Sequence, residues 1–149
     1  GQNDYSKGKV ERIINLSDNI SFIPVICYEI VFYWKLLNKF NNKGNFIVNI
    51  TNDFWFGDYL GPYQHFYLTK IRAAEFNKPI IRVSNNGISA VIDNNGAVLN
   101  KTELNKTQNF KHKLLFKENN NFVNFHLIFK IYLFIIFTLS HFYYLRKND

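Results

Sequence analysis

Residues Pro24–Phe32 read PVICYEIVF, an apolar, β-branched run that stops at the chain's single cysteine and passes through Tyr28 and Glu29 into a different pattern. Phe22–Cys27, FIPVIC, has the length and composition of a buried strand. From Glu29 onward, Ile30, Tyr33, Trp34 and Leu37 recur at the spacing of one helix face, which predicts a helix. A residue at such a junction sits at a helix N-terminus, where unpaired N–H groups and the macrodipole favour negative charge. Cys27 holds that position, and a lowered thiol pKa would make it a nucleophile. The backbone N–H of Tyr28 is then placed to receive an oxyanion, and Glu29 is near enough to orient substrate or solvent. Against this stands the commoner use of a free cysteine as a small buried hydrophobe, and Cys-Tyr-Glu alone is a weak signal.

Outward from this stretch the pattern alternates. Phe46–Thr51, FIVNIT, reads as a second buried strand that opens into the polar and aromatic loop NDFWFGDYLG. Pro62–Asn77 reads as a helix, with Phe66, Ala73 and Ala74 toward a core and Lys70 and Arg72 toward water. Pro79 starts a further strand, PIIRVS, and Asn85, Asn86 and Gly87 make a turn for backbone reasons. ISAVID then alternates as a half-buried strand, and the hairpin turn DNNG at Asp93–Gly96 leads into AVLN. Strand, helix, strand, helix and hairpin imply a layered α/β domain, here taken as residues 1–117.

A polar linker, 118–124, precedes a mostly apolar and aromatic segment. Residues 125–145 are expected to form a transmembrane helix, since about twenty residues rise roughly 30 Å. Tyr143 and Tyr144 suit an interface belt, and Arg146 and Lys147 after the segment favour a cytoplasmic C-terminus.

Composition narrows the classes. The 149 residues are 47% hydrophobic and 18% aromatic, enough for a packed core. One cysteine excludes an internal disulfide. None of His65, His112, His126 and His141 has metal-ligand spacing, so neither a metal nor another cofactor is expected. The net charge of +7 is spread singly among asparagines, as in KLLNKFNNKG, which argues against a nucleic-acid partner. The absence of methionine and the polar opening GQNDYSKGK lead us to expect the C-terminal part of a longer protein.

Taken in order, PVICYEIVF, NITNDFWFGDYLGPYQH and RAAEFNKPIIRVSNNGISAVID closely resemble the C-terminal half of the carbon–nitrogen hydrolase (nitrilase) domain of bacterial apolipoprotein N-acyltransferases, from about Phe22 to Asp93. The resemblance implies a four-layer α-β-β-α domain on the periplasmic side of the inner membrane, with a Glu-Lys-Cys triad. It implies that Cys27 takes an acyl chain from a phospholipid donor as a thioester and passes it to the α-amino group of a diacylglyceryl-lipoprotein acceptor, with Tyr28 and Glu29 matching the two residues that follow the family's nucleophile. Asn52, Asp53, Trp55 and Phe56 are the candidate substrate contacts, the aromatic pair lining an acyl path. Asn52 and Asp53 have a second reading as caps of the following turn.

The sequence departs from that pattern at Phe54, where the family usually has a smaller residue, and more seriously ahead of the cysteine strand. The family's general-base glutamate and its lysine precede the cysteine strand, and nothing up to Ser21 matches them, Lys7, Lys9 and Glu11 included. The chain as it stands is therefore expected to be an inactive piece. The alternatives are an amidase of the same superfamily acting on a small substrate and a non-catalytic, membrane-anchored remnant.

Overall fold

The computed structural model describes residues 12–32, 44–114 and 125–147. The chain divides into two units, Gly1–Lys117 and Glu118–Asp149.

In the first unit, β1 (Ile14–Ser17), β2 (Ile20–Ile26), β3 (Phe46–Asn52), β4 (Ile80–Asn85), β5 (Ala90–Ile92) and β6 (Val98–Lys101) form one six-stranded sheet in sequential order. β2, β3 and β4 run parallel, and the outer pairings β1–β2, β4–β5 and β5–β6 are antiparallel. β1 carries no strand signal of its own. Its INLS is exposed throughout, and pairing with β2 holds it.

The parallel register sorts residues by face. Val25 pairs with Asn49 and Asn49 with Arg82, while Thr51 pairs with Ser84. Because side chains alternate, Ile23, Val25, Ile47, Asn49, Thr51, Ile80, Arg82 and Ser84 share one face. Helix α1 (Leu60–Phe76) covers it, and Phe66, Ala73 and Phe76 pack with Ile23, Val25, Ile47 and Ile80 in the core. Each fully buried aliphatic side chain there contributes about 1.5–3 kcal/mol. That face is apolar at the N-terminal ends of the parallel strands and polar at their C-terminal ends. The opposite face is apolar but largely open, with Ile26, Ile50 and Val83, which pair across the sheet, at 56%, 52% and 50% exposure.

α1 starts two residues before the predicted Pro62 and ends where Asn77 adopts φ 50, its N–H returning to the carbonyls of Ala73 and Ala74. Two side chains sit opposite to expectation. Ala74 is exposed, whereas Arg72 is buried, donating from Nε to the carbonyl of Ile30 and pairing with Glu75. The hairpin at Asp93–Gly96 forms as predicted, closed by Asp93 Oδ1, which accepts from the N–H groups of Asn95 and Ala97.

The helix predicted after Glu29 begins as a five-residue 3-10 turn, Cys27–Val31. Its expected continuation through Tyr33, Trp34 and Leu37 lies outside the described residues, as does the linker 118–124. The described residues contribute one sheet and one covering helix to the expected four layers.

In the second unit, α2 spans Phe125–Lys147. A span was expected at 125–145; among the described residues no helix is long and apolar enough to cross a membrane. Lys130, Thr138, Ser140 and His141 interrupt the apolar run.

Candidate active site

β2 ends at Ile26, and the chain turns sharply at Cys27, whose φ of 48° lies in the left-handed region. A non-glycine residue held there stores about 1–3 kcal/mol, and such residues cluster at active sites. The turn is fixed from both sides. Glu29 Oε2 accepts from the N–H of Ile26 at 2.9 Å, and Glu29 Oε1 pairs with Arg12 at 2.6 Å. Asn49 donates from Nδ2 to the carbonyls of Val25 and Cys27, both at 3.2 Å, tying the turn to β3. Glu29, expected to orient substrate or solvent, is thus engaged in holding the backbone that presents the sulfur.

Cys27 is partly exposed and stands at the C-terminal ends of the parallel strands, where open α/β sheets place their sites. Thr51 Oγ1 lies 3.5 Å from Sγ. Burial pushes the thiol up, but the Thr51 hydroxyl and the backbone N–H groups of Asn52 and Tyr28 outweigh it, so the thiol lies below its ordinary value despite the nearby Asp53 carboxylate. The acidity expected at this junction has three hydrogen-bond donors behind it. The Tyr28 N–H, foreseen as an oxyanion donor, addresses the sulfur itself.

Behind Thr51 lies a buried polar cluster. Asp53 has no exposed side-chain surface; its Oδ2 accepts from Arg82 Nη2 at 2.6 Å and Ser84 Oγ at 2.8 Å, and its Oδ1 faces His65 Nδ1 at 2.8 Å. Burial raises the Asp53 carboxyl, yet the His65 bond, the Arg82 charge and the Ser84 hydroxyl bring it down to about 2. An ionised carboxylate this close requires a proton on His65 Nδ1, leaving Nε2 as the far nitrogen. That atom is buried and has no hydrogen-bond partner among the described residues. The rings of Tyr28 and Phe56 pack against the imidazole, with centroids 5.4 and 5.3 Å away. Arg82 is equally enclosed, donating from Nη1 to Asn49 Oδ1 at 2.8 Å and Thr69 Oγ1 at 3.0 Å and from Nε to the carbonyl of Ile88 at 3.2 Å. Burial draws the guanidinium below its usual value, against the pull of Asp53.

The four expected substrate contacts separate accordingly. Asn52 caps the 3-10 turn Asp53–Phe56, its side chain accepting from the N–H of Phe54 at 3.2 Å. Asp53 is enclosed by protein partners. Trp55 is 81% exposed and Phe56 36%, in a surface that also shows Phe54, Tyr59 and Leu60. Gly87, expected for its backbone freedom, has an ordinary φ; a Cβ there would strike the Asp53 carboxylate and the Ser84 hydroxyl, and the left-handed residue of that turn is Asn86, φ 60.

Sequence reading missed His65, Arg82, Ser84, Asn49 and Thr51 as members of one site. A signal existed for four of them: polar residues at alternate positions inside two otherwise apolar strands, Asn49 and Thr51 in FIVNIT and Arg82 and Ser84 in PIIRVS. Among the described residues no group of three or more His, Cys, Asp or Glu is arranged to hold a metal. An open depression of about 600 Å³ bounded by Asn100–Thr102 and Thr107–Phe110 includes none of the residues around Cys27.

A family model for carbon-nitrogen hydrolases matches residues 9–109. Among curated proteins, the apolipoprotein N-acyltransferase of Allorhizobium ampelinum is 43% identical over 101 residues, 68% of this chain and 19% of the relative. That of Rickettsia bellii is 42% identical over 103 residues, 69% and 20% of the respective chains. The chain thus spans about a fifth of the length of these relatives. Among solved structures, Saccharomyces cerevisiae Nit3, a member of branch 10 of the nitrilase superfamily, matches with a TM-score of 0.53 at 18% identity, over 68% of this chain and 40% of that one. A mutant Nesterenkonia amidase of the same superfamily gives 0.52 at 16%, over 69% and 41%. At those identities the likeness bears on the fold.

Proposed function

Because the chain belongs to the carbon-nitrogen hydrolase family, we propose that it is the cysteine-bearing part of an enzyme that moves a fatty acyl chain from a phospholipid, through a thioester on Cys27, to the terminal amino group of a diacylglyceryl-lipoprotein. The observation that carries this reading is the partly exposed Cys27 sulfur, set on a left-handed turn and addressed by the Thr51 hydroxyl and two backbone N–H groups. The likeness to two apolipoprotein N-acyltransferases supports the acyl donor and acceptor.

In the first step the thiolate attacks the ester carbonyl of the phospholipid. The C–S bond forms, the C–O bond breaks, and the departing lysophospholipid oxygen takes the proton that the thiol had given up to a base. In the second, the acceptor amine attacks the thioester, its C–N bond replaces the C–S bond, and the thiolate returns as the amine gives its proton to a base. Division into two easier steps is covalent catalysis. Once the sulfur is acylated it no longer needs the Tyr28 N–H, which is then free to meet the oxyanion of the second step. Glu29, Asn52 and Asp53 act by holding the turn and its neighbours. Trp55 and Phe56 meet the acyl chain.

The charged groups acting on Cys27 are Asp53 and Arg82. The glutamate and lysine that the resemblance calls for come from outside the described residues, in a preceding part whose second sheet covers the open face of Ile26, Ile50 and Val83 and completes four layers. The enzyme works at the periplasmic face of a bacterial inner membrane. There the loop of Trp55 and the exposed aromatic and aliphatic surface of α2 rest against lipid.

The test is transfer of labelled acyl chain from phospholipid vesicles to a diacylglyceryl-cysteine peptide by the product of the whole reading frame, lost in Cys27→Ala. Turnover of simple amides in lipid-free buffer without any transfer would support the amidase reading instead. A reading frame with no upstream glutamate and lysine would support the non-catalytic remnant.

A further inference from the structure

Thr51 occupies a position the thioester chemistry leaves unexplained. Its Oγ1 stands between two groups that can each accept its hydrogen, the Cys27 sulfur at 3.5 Å and Asp53 Oδ1 at 3.3 Å. A hydroxyl carries one hydrogen and two lone pairs, so it serves one of them at a time. Asp53 is ionised and already receives Arg82, Ser84 and His65, so it tolerates the loss of Thr51. The sulfur's further donors are the backbone N–H groups of Asn52 and Tyr28, which are fixed in place, so the Thr51 hydroxyl is the donor that can turn.

We propose that the Thr51 hydroxyl is a two-position switch that couples the charge of Cys27 to the buried Asp53–Arg82–His65 cluster. With a thiol at Cys27, S–H donates to Thr51 Oγ1 and Thr51 donates to Asp53 Oδ1. When the thiol proton leaves to water or to a base, the Thr51 O–H rotates about its C–O bond and donates to the thiolate. No proton passes to Asp53, which is too strong an acid to hold one. Acylation turns the hydroxyl back toward Asp53, because a thioester sulfur is a poor acceptor. Thr51 is thus a positioning residue that stabilises the nucleophile in the form that attacks and releases it in the form that has reacted. This proposal rests on the reading of Cys27 as the nucleophile.

The charged and titratable groups around the sulfur are Asp53 beyond β3, Arg82 on β4, His65 on α1 behind Asp53, and Glu29 with its partner Arg12. The cluster opposes itself usefully: Thr51 favours the thiolate and Asp53 disfavours it. Substitutions at the two positions therefore move the thiol in opposite directions, which loosening of the fold does not predict.

The experiment is the rate of Cys27 alkylation by iodoacetamide against pH in the full chain, with folding checked by circular dichroism. Thr51→Val should raise the midpoint by roughly one pH unit, the effect of one lost hydrogen bond to a charged group. The rate well below the midpoint should fall only about threefold, because a more basic thiolate is a better nucleophile. Thr51→Ser should restore the wild-type curve, and Asp53→Asn should lower the midpoint. An unchanged midpoint in folded Thr51→Val, or equal shifts in the Val and Ser variants, would overturn the switch. If Val does not fold, Thr51→Ala carries the same expectation. Alkylation needs neither lipid nor acceptor, so the expected shifts without acyl transfer would sink the proposed reaction and leave the switch standing.

Discussion

The Arg82 guanidinium and the Asp53 carboxylate meet at 2.6 Å with neither side chain exposed. They are brought together because Arg82 pairs in register with Asn49 on β3, a strand whose end delivers Asp53. Each ion depends on the other, since a buried charge without its partner is costly. Arg82→Met should lower stability by about 3–5 kcal/mol in urea unfolding. The double variant Arg82→Met/Asp53→Asn should lose clearly less than the two single losses combined.

Acid should act through the same carboxylate. Asp53 is held at about 2 against an ordinary 3.8, so as pH falls the unfolded chain takes up this proton before the folded one does. The stability it contributes is complete above about pH 4 and is lost toward pH 2, a difference of about 2 kcal/mol. Unfolding measured from pH 6 to pH 2 should show that fall, and Asp53→Asn should lack this share of it.

Gly87 tests how tightly the cluster is packed. Gly87→Ala is acceptable to the backbone, but its methyl group would displace the Asp53 carboxylate and the Ser84 hydroxyl. A loss of about 1–3 kcal/mol is expected from such overpacking. Thermal unfolding measures it, and an alanine variant as stable as the parent would show that the cluster yields freely.

Strain at Cys27 is separable from its chemistry. At φ 48° alanine keeps the strain and glycine relieves it. Cys27→Gly should therefore be more stable than Cys27→Ala by about 1 kcal/mol. Both variants lack the sulfur, so unfolding of the pair isolates the backbone contribution.

The exposed aromatic loop should bind lipid without supporting the fold. Trp55→Ser and Tyr59→Ser remove side chains that are 81% and 86% exposed, so stability should stay within about 0.5 kcal/mol. Co-sedimentation with phospholipid vesicles should decrease for both. Unchanged sedimentation would remove Trp55 from the lipid path.

The main strands, α1 and the position of Cys27 were legible in sequence because their signals are local. A β-branched run ends at the cysteine, Pro62 stands in the first turn of α1, and DNNG closes a hairpin. The cluster was not legible, because Thr51, Asp53, His65, Arg82 and Ser84 are joined by parallel register and by a helix laid across the sheet. Pattern reading also sends charge to water, so Arg72 was assigned to solvent and Arg82 passed unremarked inside an apolar strand. The apolar segment at 125–145 was read by length and average character, which gave weight to its aromatic residues over the polar ones that interrupt it.

The most direct test is to incubate the product of the whole reading frame with phospholipid vesicles, digest it, and weigh the peptide that carries Cys27. The account predicts a mass increase of one fatty acyl chain, removed by neutral hydroxylamine and absent in Cys27→Ser. A protein that transfers acyl chains while this peptide keeps a free thiol throughout would contradict it.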